Sequence, residues 1–293
     1  MQIKEYLKEK AKEVDLFLDK FLPPETAYPE VIHKSLRYSI FAGGKRIRPI
    51  LCIAAYETVT EQPYQKIAPL FCALELVHTY SLIHDDLPCI DNDDYRRGKL
   101  TNHKVFGENI AVLAGDSLLT LAFEFLSRAA IERNILLKII EEFSYSIGTK
   151  GLIGGQVVDI ISEGEKISKK TLKYIHLHKT ASLIESSLKI GALAAGAKPK
   201  ELSALGKYGQ NIGLAFQVAD DILDVVGNAK NMGKTLGKDE AVEKATYVKV
   251  YGLQKAKLIL NDLVSEAVSA LNVFREKQKP LVEIANFIAY RDN

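Results

Sequence analysis

The chain has 293 residues, with 39 Lys and Arg against 37 Asp and Glu, a formal net charge of +2, and 47% hydrophobic residues. That balance excludes a nucleic-acid coat protein or a polybasic membrane binder, so any anion the protein handles must be met by local clusters. At this length folding buries roughly 75% of the extended chain's surface, so the core needs no covalent staple. Three cysteines (Cys52, Cys72, Cys89) without metal-type spacing point to a reducing compartment.

The N-terminal stretch is polar and helical in pattern and lacks the apolar centre of a signal peptide. No run is expected to reach the ~18 apolar residues that span a bilayer. A soluble, cytoplasmic protein is the expectation. Six of the nine prolines fall in the first 70 residues, and none lies between Cys89 and Lys198 or between Lys200 and Lys279. Such long proline-free stretches of Leu, Ile, Ala, Glu and Lys favour helix. The spacing predicts helices near 2–20, 28–42, 49–60, 66–87, 106–130, 134–150, 168–195, 200–226, 240–272 and 280–290, with no hairpin-bounded alternation. One all-α domain over 1–293, a bundle of about ten or more helices, is expected.

Taken along the chain, the first chemical feature is FAGGKRIRP at 41–49. Gly43 and Gly44 can end one helix and Pro49 can open the next, which sets Lys45, Arg46 and Arg48 at a helix N-terminus suited to an anion. Next, HDDLPCIDNDDYRRG at 84–98 packs Asp85, Asp86, Asp91, Asp93 and Asp94 into ten residues. Pro88 should stop the preceding apolar helix near Leu87, leaving Asp85 and Asp86 at its negative end. Carboxylates there are misplaced unless cations come to them, and Asp91 can fold back beside Asp85. His78 shares the Asp85 stripe of that helix. Arg96 and Arg97 follow directly, able to pair with these aspartates or to clamp a phosphate.

The second acidic cluster, Asp220, Asp221 and Asp224, lies in the apolar stretch GLAFQVADDILDVVG. At ~100° per residue the three span an arc of about 100°. Burying them together brings repulsion and desolvation, which divalent cations relieve, and oxygen-only donors suit Mg²⁺. Lys179 and Thr180 (in HKT), Gln217 and GKTLGKD at 233–239 complete the inventory. GKTLGKD lacks P-loop spacing, and no strand precedes it.

These residues resemble the trans-prenyl diphosphate synthases, with bacterial farnesyl diphosphate synthases the nearest in pattern. DDLPCID is similar to that family's first aspartate-rich motif in its longer bacterial form and DDILD to the second. GGKRIRP, the His78 stripe, RRG at 96–98, GGQVVDI at 154–160, HKT, GKTLGKD and the terminal FIAYRDN follow in family order. The chain departs from the pattern at Val248, where many relatives have proline, and at Glu243, where glycine is common.

The resemblance implies helices around a deep cavity (the isoprenoid synthase type), a homodimer, and about three Mg²⁺. It implies head-to-tail condensation of isopentenyl diphosphate with an allylic diphosphate. Asp85, Asp91 and Asp220 would be the main metal ligands, and Asp86, Asp221 and Asp224 would support them. Lys45, Arg48, His78 and Arg97 would hold isopentenyl diphosphate. Arg96, Lys179, Thr180, Gln217, Lys234 and Lys244 would hold the allylic diphosphate and its developing cation. Tyr80 and Ser81, five and four residues before the first aspartate, would set product length. An aromatic residue at Tyr80 resembles a C15 (farnesyl) synthase, with the C20 (geranylgeranyl) enzyme as the alternative. A class I terpene cyclase would lack the isopentenyl-site bases, and a non-catalytic partner subunit would lack the paired aspartates.

Overall fold

The computed structural model describes residues 2–165, 167–230 and 246–290, the side chains of 227–230 excepted. The chain divides into two compact units, residues 1–53 with 62–140 and residues 54–61 with 141–293. Both are helical, as expected.

The first unit holds α1 (Ile3–Phe21), α2 (Glu30–Ile40) and the start of α3 (Ile47–Val59), followed by a 3₁₀ turn (Tyr64–Ile67) and α4 (Ala68–Asp85). A hairpin of β1 (Tyr95–Arg96) and β2 (Lys99–Leu100), α5 (Asn102–Phe106), α6 (Glu108–Ser127) and the start of α7 (Arg133–Ile147) follow. Apolar on nearly every side, α4 is the central helix of this unit and is buried from Leu70 to Val77. α1 is amphipathic and docks on it through edge-to-face contacts, Phe17 on Phe71 at 5.6 Å and Phe21 on Phe125 of α6 at 5.8 Å. α4 and α6 approach so closely that a Cβ on Gly115 would lie 2.0 Å from His84 Nε2.

The second unit contains α8 (Leu152–Ile161), α9 (Lys169–Ile175), a π-helical turn (His176–Ala181), α10 (Ser182–Ala194) and the 32-residue α11 (Pro199–Lys230). It closes with α12 (Tyr247–Tyr251), α13 (Leu253–Ala270), a 3₁₀ stretch (Leu271–Gln278) and α14 (Lys279–Ala289). α11 packs between α10 and α13, and the buried Tyr208 on α11 donates its hydroxyl to the Leu281 carbonyl at 2.7 Å.

Local expectations fail where glycine or a turn decides. α8 was not anticipated, because Gly154 and Gly155 weaken its helical pattern; the glycines are there for contact. A Cβ on Gly155 would lie 2.2 Å from the Lys179 nitrogen. The continuous helix expected over 240–272 breaks at Gly252, where φ is +78°. A short hairpin appears where none was expected. Arg97 (φ +54°) and Gly98 (φ +75°) both occupy the left-handed region, which is the backbone of a tight two-residue turn. The expectation that no run is long and apolar enough to span a bilayer is also corrected. By length and composition residues 64–85 and α6 both qualify, the first of them largely buried inside its unit.

Candidate active site

α4 delivers the first aspartates. It ends at Asp85, and the chain then coils tightly on itself. The N–H groups of Ile90 and Asn92 both donate to the Leu87 carbonyl, at 2.9 and 3.1 Å, and the Asp91 N–H donates to the Asp85 carbonyl at 2.8 Å. The backbone of Asp91 thus returns to the end of α4. Asp86 points elsewhere. Only 3% exposed, it accepts from Arg96 Nε at 2.6 Å and Nη2 at 2.5 Å, and burial pushes its carboxyl up against the pull of that guanidinium. Arg96 therefore ties down the acidic loop, reaching Asp93 at 3.7 Å as well. The hairpin fixes the loop's far side. Thr101 donates from its hydroxyl to the Asp93 carbonyl (2.7 Å) and from its N–H to the Asp94 carbonyl (3.0 Å).

Beside this loop the same unit gathers cations. Gly43 and Gly44, at φ +98° and +132°, bring the backbone against Arg97, whose Nη1 donates to the Gly43 carbonyl. A Cβ on Gly44 would meet that guanidinium at 2.6 Å. Arg46 does not join the anion site that the sequence suggested. At φ +50° it turns inward and bonds Asp15 (2.7 Å), Glu75 (2.8 Å) and the Ile40 carbonyl (2.6 Å). Lys45 stays exposed at the loop tip. Arg48 Nε is buried with no hydrogen-bond partner among the described residues, and burial, aided by Arg97, pushes the guanidinium down to about 10. His78 is held well below the ordinary imidazole range by burial and then by Arg48, Arg97, Arg46 and Arg96. Burial first, and neighbouring guanidiniums after it, work against the charged forms of Arg48, Arg97 and His78, a setting that an anion would relieve.

In the second unit the π-helical turn carries Lys179 and Thr180. Such turns insert one extra residue into a helix and recur at functional sites. Gly155 of α8 makes room for this one on one side and Gly213 of α11 on the other, where a Cβ would lie 2.4 Å from the Ala181 side chain. Lys179 Nζ pairs with Asp159 at 2.6 Å. Thr180 donates to Gln217 Oε1 (3.4 Å), Gln217 Nε2 to Asp221 Oδ1 (3.1 Å) and the Tyr247 N–H to Asp221 Oδ2 (2.7 Å). Asp221, 4% exposed, is pushed up to about 6 by burial. It serves the tertiary network, while Asp220 and Asp224, one turn apart, lie on the more exposed side of α11.

The two chain-length candidates differ in setting. Tyr80 is 5% exposed, its ring set edge-on to His84 at 5.7 Å, and its hydroxyl has no partner among the described residues. Burial pushes that phenol up to about 12. Ser81 is bonded back to the His78 carbonyl at 2.9 Å. Lys234 and Lys244 lie outside the described residues. Sequence reasoning missed Asp159 and Glu75 as partners of the cations; a lone glutamate inside the apolar run of α4 was the available signal for the latter.

Among the described residues no three His, Cys, Asp or Glu side chains gather on one point. Asp85, Asp91 and Asp220 offer oxygen donors alone, the ligand type that Mg²⁺ takes.

The polyprenyl synthetase family matches residues 29–279. The chain is 49% identical over 292 residues to a chloroplastic geranylgeranyl pyrophosphate synthase of Capsicum annuum, covering 98% of this chain and 78% of the relative. It is 46% identical to a dimethylallyltranstransferase of Fischerella ambigua, covering 98% and 83%. Among solved structures it superposes on an FPP/GFPP synthase of Zymomonas mobilis with a TM-score of 0.88 and 33% identity, covering 98% of this chain and 99% of that one. A geranyltransferase of Legionella pneumophila gives 0.87 and 31%, covering 99% and 98%.

Proposed function

The chain belongs to the polyprenyl synthetase family, and from that membership we propose that it is a farnesyl diphosphate synthase, extending a short allylic diphosphate with isopentenyl diphosphate to the C15 product. The observation that carries the reading is the grouping of Arg48, at the start of α3, and Arg97, in the hairpin turn, near the buried His78 of the helix that ends in Asp85.

In this reading Lys45, Arg48, His78 and Arg97 bind isopentenyl diphosphate, and Arg97 is pre-aimed by the Gly43 carbonyl. Lys179, Thr180 and Gln217 hold the allylic diphosphate, oriented by the π-helical turn and its bond to α11. Mg²⁺ at Asp85, Asp91 and Asp220, about three ions in all, would neutralise charge on the departing diphosphate. The chain itself needs no nucleophile. Its work is to place two diphosphates for attack of the alkene on the allylic carbon, to exclude water, and to leave the final proton to the released diphosphate.

Tyr80 supports C15. It puts a bulky, buried ring on α4 five residues before Asp85, the position at which the family resemblance sets product length. The C20 reading draws its support from relatives named as geranylgeranyl synthases. A cytoplasmic homodimer is part of the same proposal. The deciding assay supplies Mg²⁺, isopentenyl diphosphate and each short allylic primer in turn, and sizes the products by chromatography. Farnesyl diphosphate as the terminal product supports the reading. Geranylgeranyl diphosphate as the terminal product replaces it with the C20 one, and hydrocarbon from an allylic primer alone would point to a cyclase.

A further inference from the structure

Glu75 has no part in the reaction as proposed, yet it sits under the site. It lies one turn before His78 on α4, only 1% exposed, and is the lone acid in an otherwise apolar run. One carboxylate oxygen accepts from Arg46 Nη1 at 2.8 Å, and the other, Oε2, is buried with no hydrogen-bond partner among the described residues. A buried, half-satisfied carboxylate is costly unless its charge is in use. Its charge reaches Arg48 and Arg97, favouring the protonated form of each. Arg46 does not depend on it alone, since Asp15 and the carbonyls of Ile40 and Gly43 also hold that guanidinium.

One buried acid among three guanidiniums occupies the electrical role that a bound diphosphate would take over. We propose that Glu75 is a positioning residue, a resident counter-ion that keeps Arg46, Arg48 and Arg97 assembled while the pocket is empty and competes with the incoming diphosphate for the same positive charge, thereby limiting its affinity. This rests on the reading of Arg48, His78 and Arg97 as the isopentenyl diphosphate site.

The sign of the effect separates this from a packing role. If Glu75 only braces the loop, removing its charge loosens the pocket and weakens binding. As a competing counter-ion, its neutralisation strengthens binding, because the ligand becomes the missing partner.

The test is calorimetric titration of the full-length protein with isopentenyl diphosphate alone, with Mg²⁺ present, in wild type, Glu75→Gln, Glu75→Asp and Arg48→Ala. Removing one unit charge from a partly dry pocket should tighten binding of Glu75→Gln by about threefold or more. Its melting temperature should fall without ligand and rise more on ligand addition than that of wild type. Glu75→Asp keeps the charge and should return affinity toward the wild-type value. Should Glu75→Gln prove insoluble, the comparison is made with Glu75→Met, which is close in volume and uncharged. Equal or weaker binding by the neutral variant, with Arg48→Ala abolishing binding, overturns the counter-ion inference and leaves the site intact. Undiminished binding by Arg48→Ala removes the site and the inference together.

Discussion

At the scale of single residues, burial without a partner is the recurrent device, and it makes some side chains sensitive to their surroundings. Tyr80 keeps a buried phenol with no hydrogen-bond partner among the described residues. In the proposed reading its volume, not its hydroxyl, would limit the product. Tyr80→Ala should shift the product ladder from labelled isopentenyl diphosphate upward by at least one C5 unit, and an unchanged ladder would refute its role as a floor. His176 is a second case. Its ring stacks on Tyr247 at 5.4 Å, its Nε2 is buried with no hydrogen-bond partner among the described residues, and burial lowers it to about 4. The unfolded imidazole titrates near 6.5, so between these values the unfolded chain binds more protons than the folded one. The contribution is complete above about pH 6.5 and is lost as the pH falls toward 4. From pH 7.5 to 5 the wild type should lose about 2 kcal/mol of unfolding free energy that His176→Phe, which keeps a stackable ring, does not lose. Equal losses in denaturant titrations at the two pH values would show that His176 does not titrate in this way.

At the scale of elements, the π-helical turn is the part that a regular helix would have spoiled. It sets Lys179 against Asp159 and Thr180 against Gln217, and two glycines on neighbouring helices admit it. Gly155 faces backbone, which has no rotamer to yield, so a methyl there must move α8 or the turn itself. A displacement of about 1 Å in a positioning group can lower turnover roughly a hundredfold. Gly155→Ala should accordingly lower kcat/KM for the allylic substrate by that order, while calorimetric affinity for isopentenyl diphosphate, bound in the proposal by residues of the other unit, stays within about twofold of wild type. A variant with full activity would mean that the turn's exact shape is irrelevant to the chemistry. The hairpin at Arg97 and Gly98 works similarly in the first unit, where its left-handed turn aims Arg97 at the Gly43 carbonyl.

At the scale of the whole molecule, α6 is informative. It is long and apolar, yet much of it is exposed, Leu113 by 53%, with Val112 beside it and Leu137 of α7 exposed as well. Apolar faces of this kind on a water-facing helix mark association sites more often than bare surface. The proposed homodimer gives this face a function. Leu113→Lys should shift sedimentation from dimer toward monomer by placing a charge on it, and a wild type that sediments as a monomer would refute the dimer outright.

What the sequence determined on its own was the chemistry by type and the helical class. Carboxylates and cations in an apolar, proline-poor chain can be read from composition and spacing, because desolvation and helix propensity are local in cause. Tertiary structure decided which charge meets which. Arg46 and Arg48 are two residues apart, yet a left-handed backbone at Arg46 sends one to Asp15 and Glu75 and leaves the other's Nε without a hydrogen-bond partner among the described residues. Asp85 and Asp86 are adjacent, yet the second is the one buried against the Arg96 guanidinium, at 2.5 Å. α8 stayed hidden because Gly154 and Gly155 weaken a helix locally, while the close approach of Gly155 to the π turn, and of Gly154 to the Thr149 backbone, is a tertiary fact. Pairing energy depends on distances set by distant segments, and no local pattern encodes those distances.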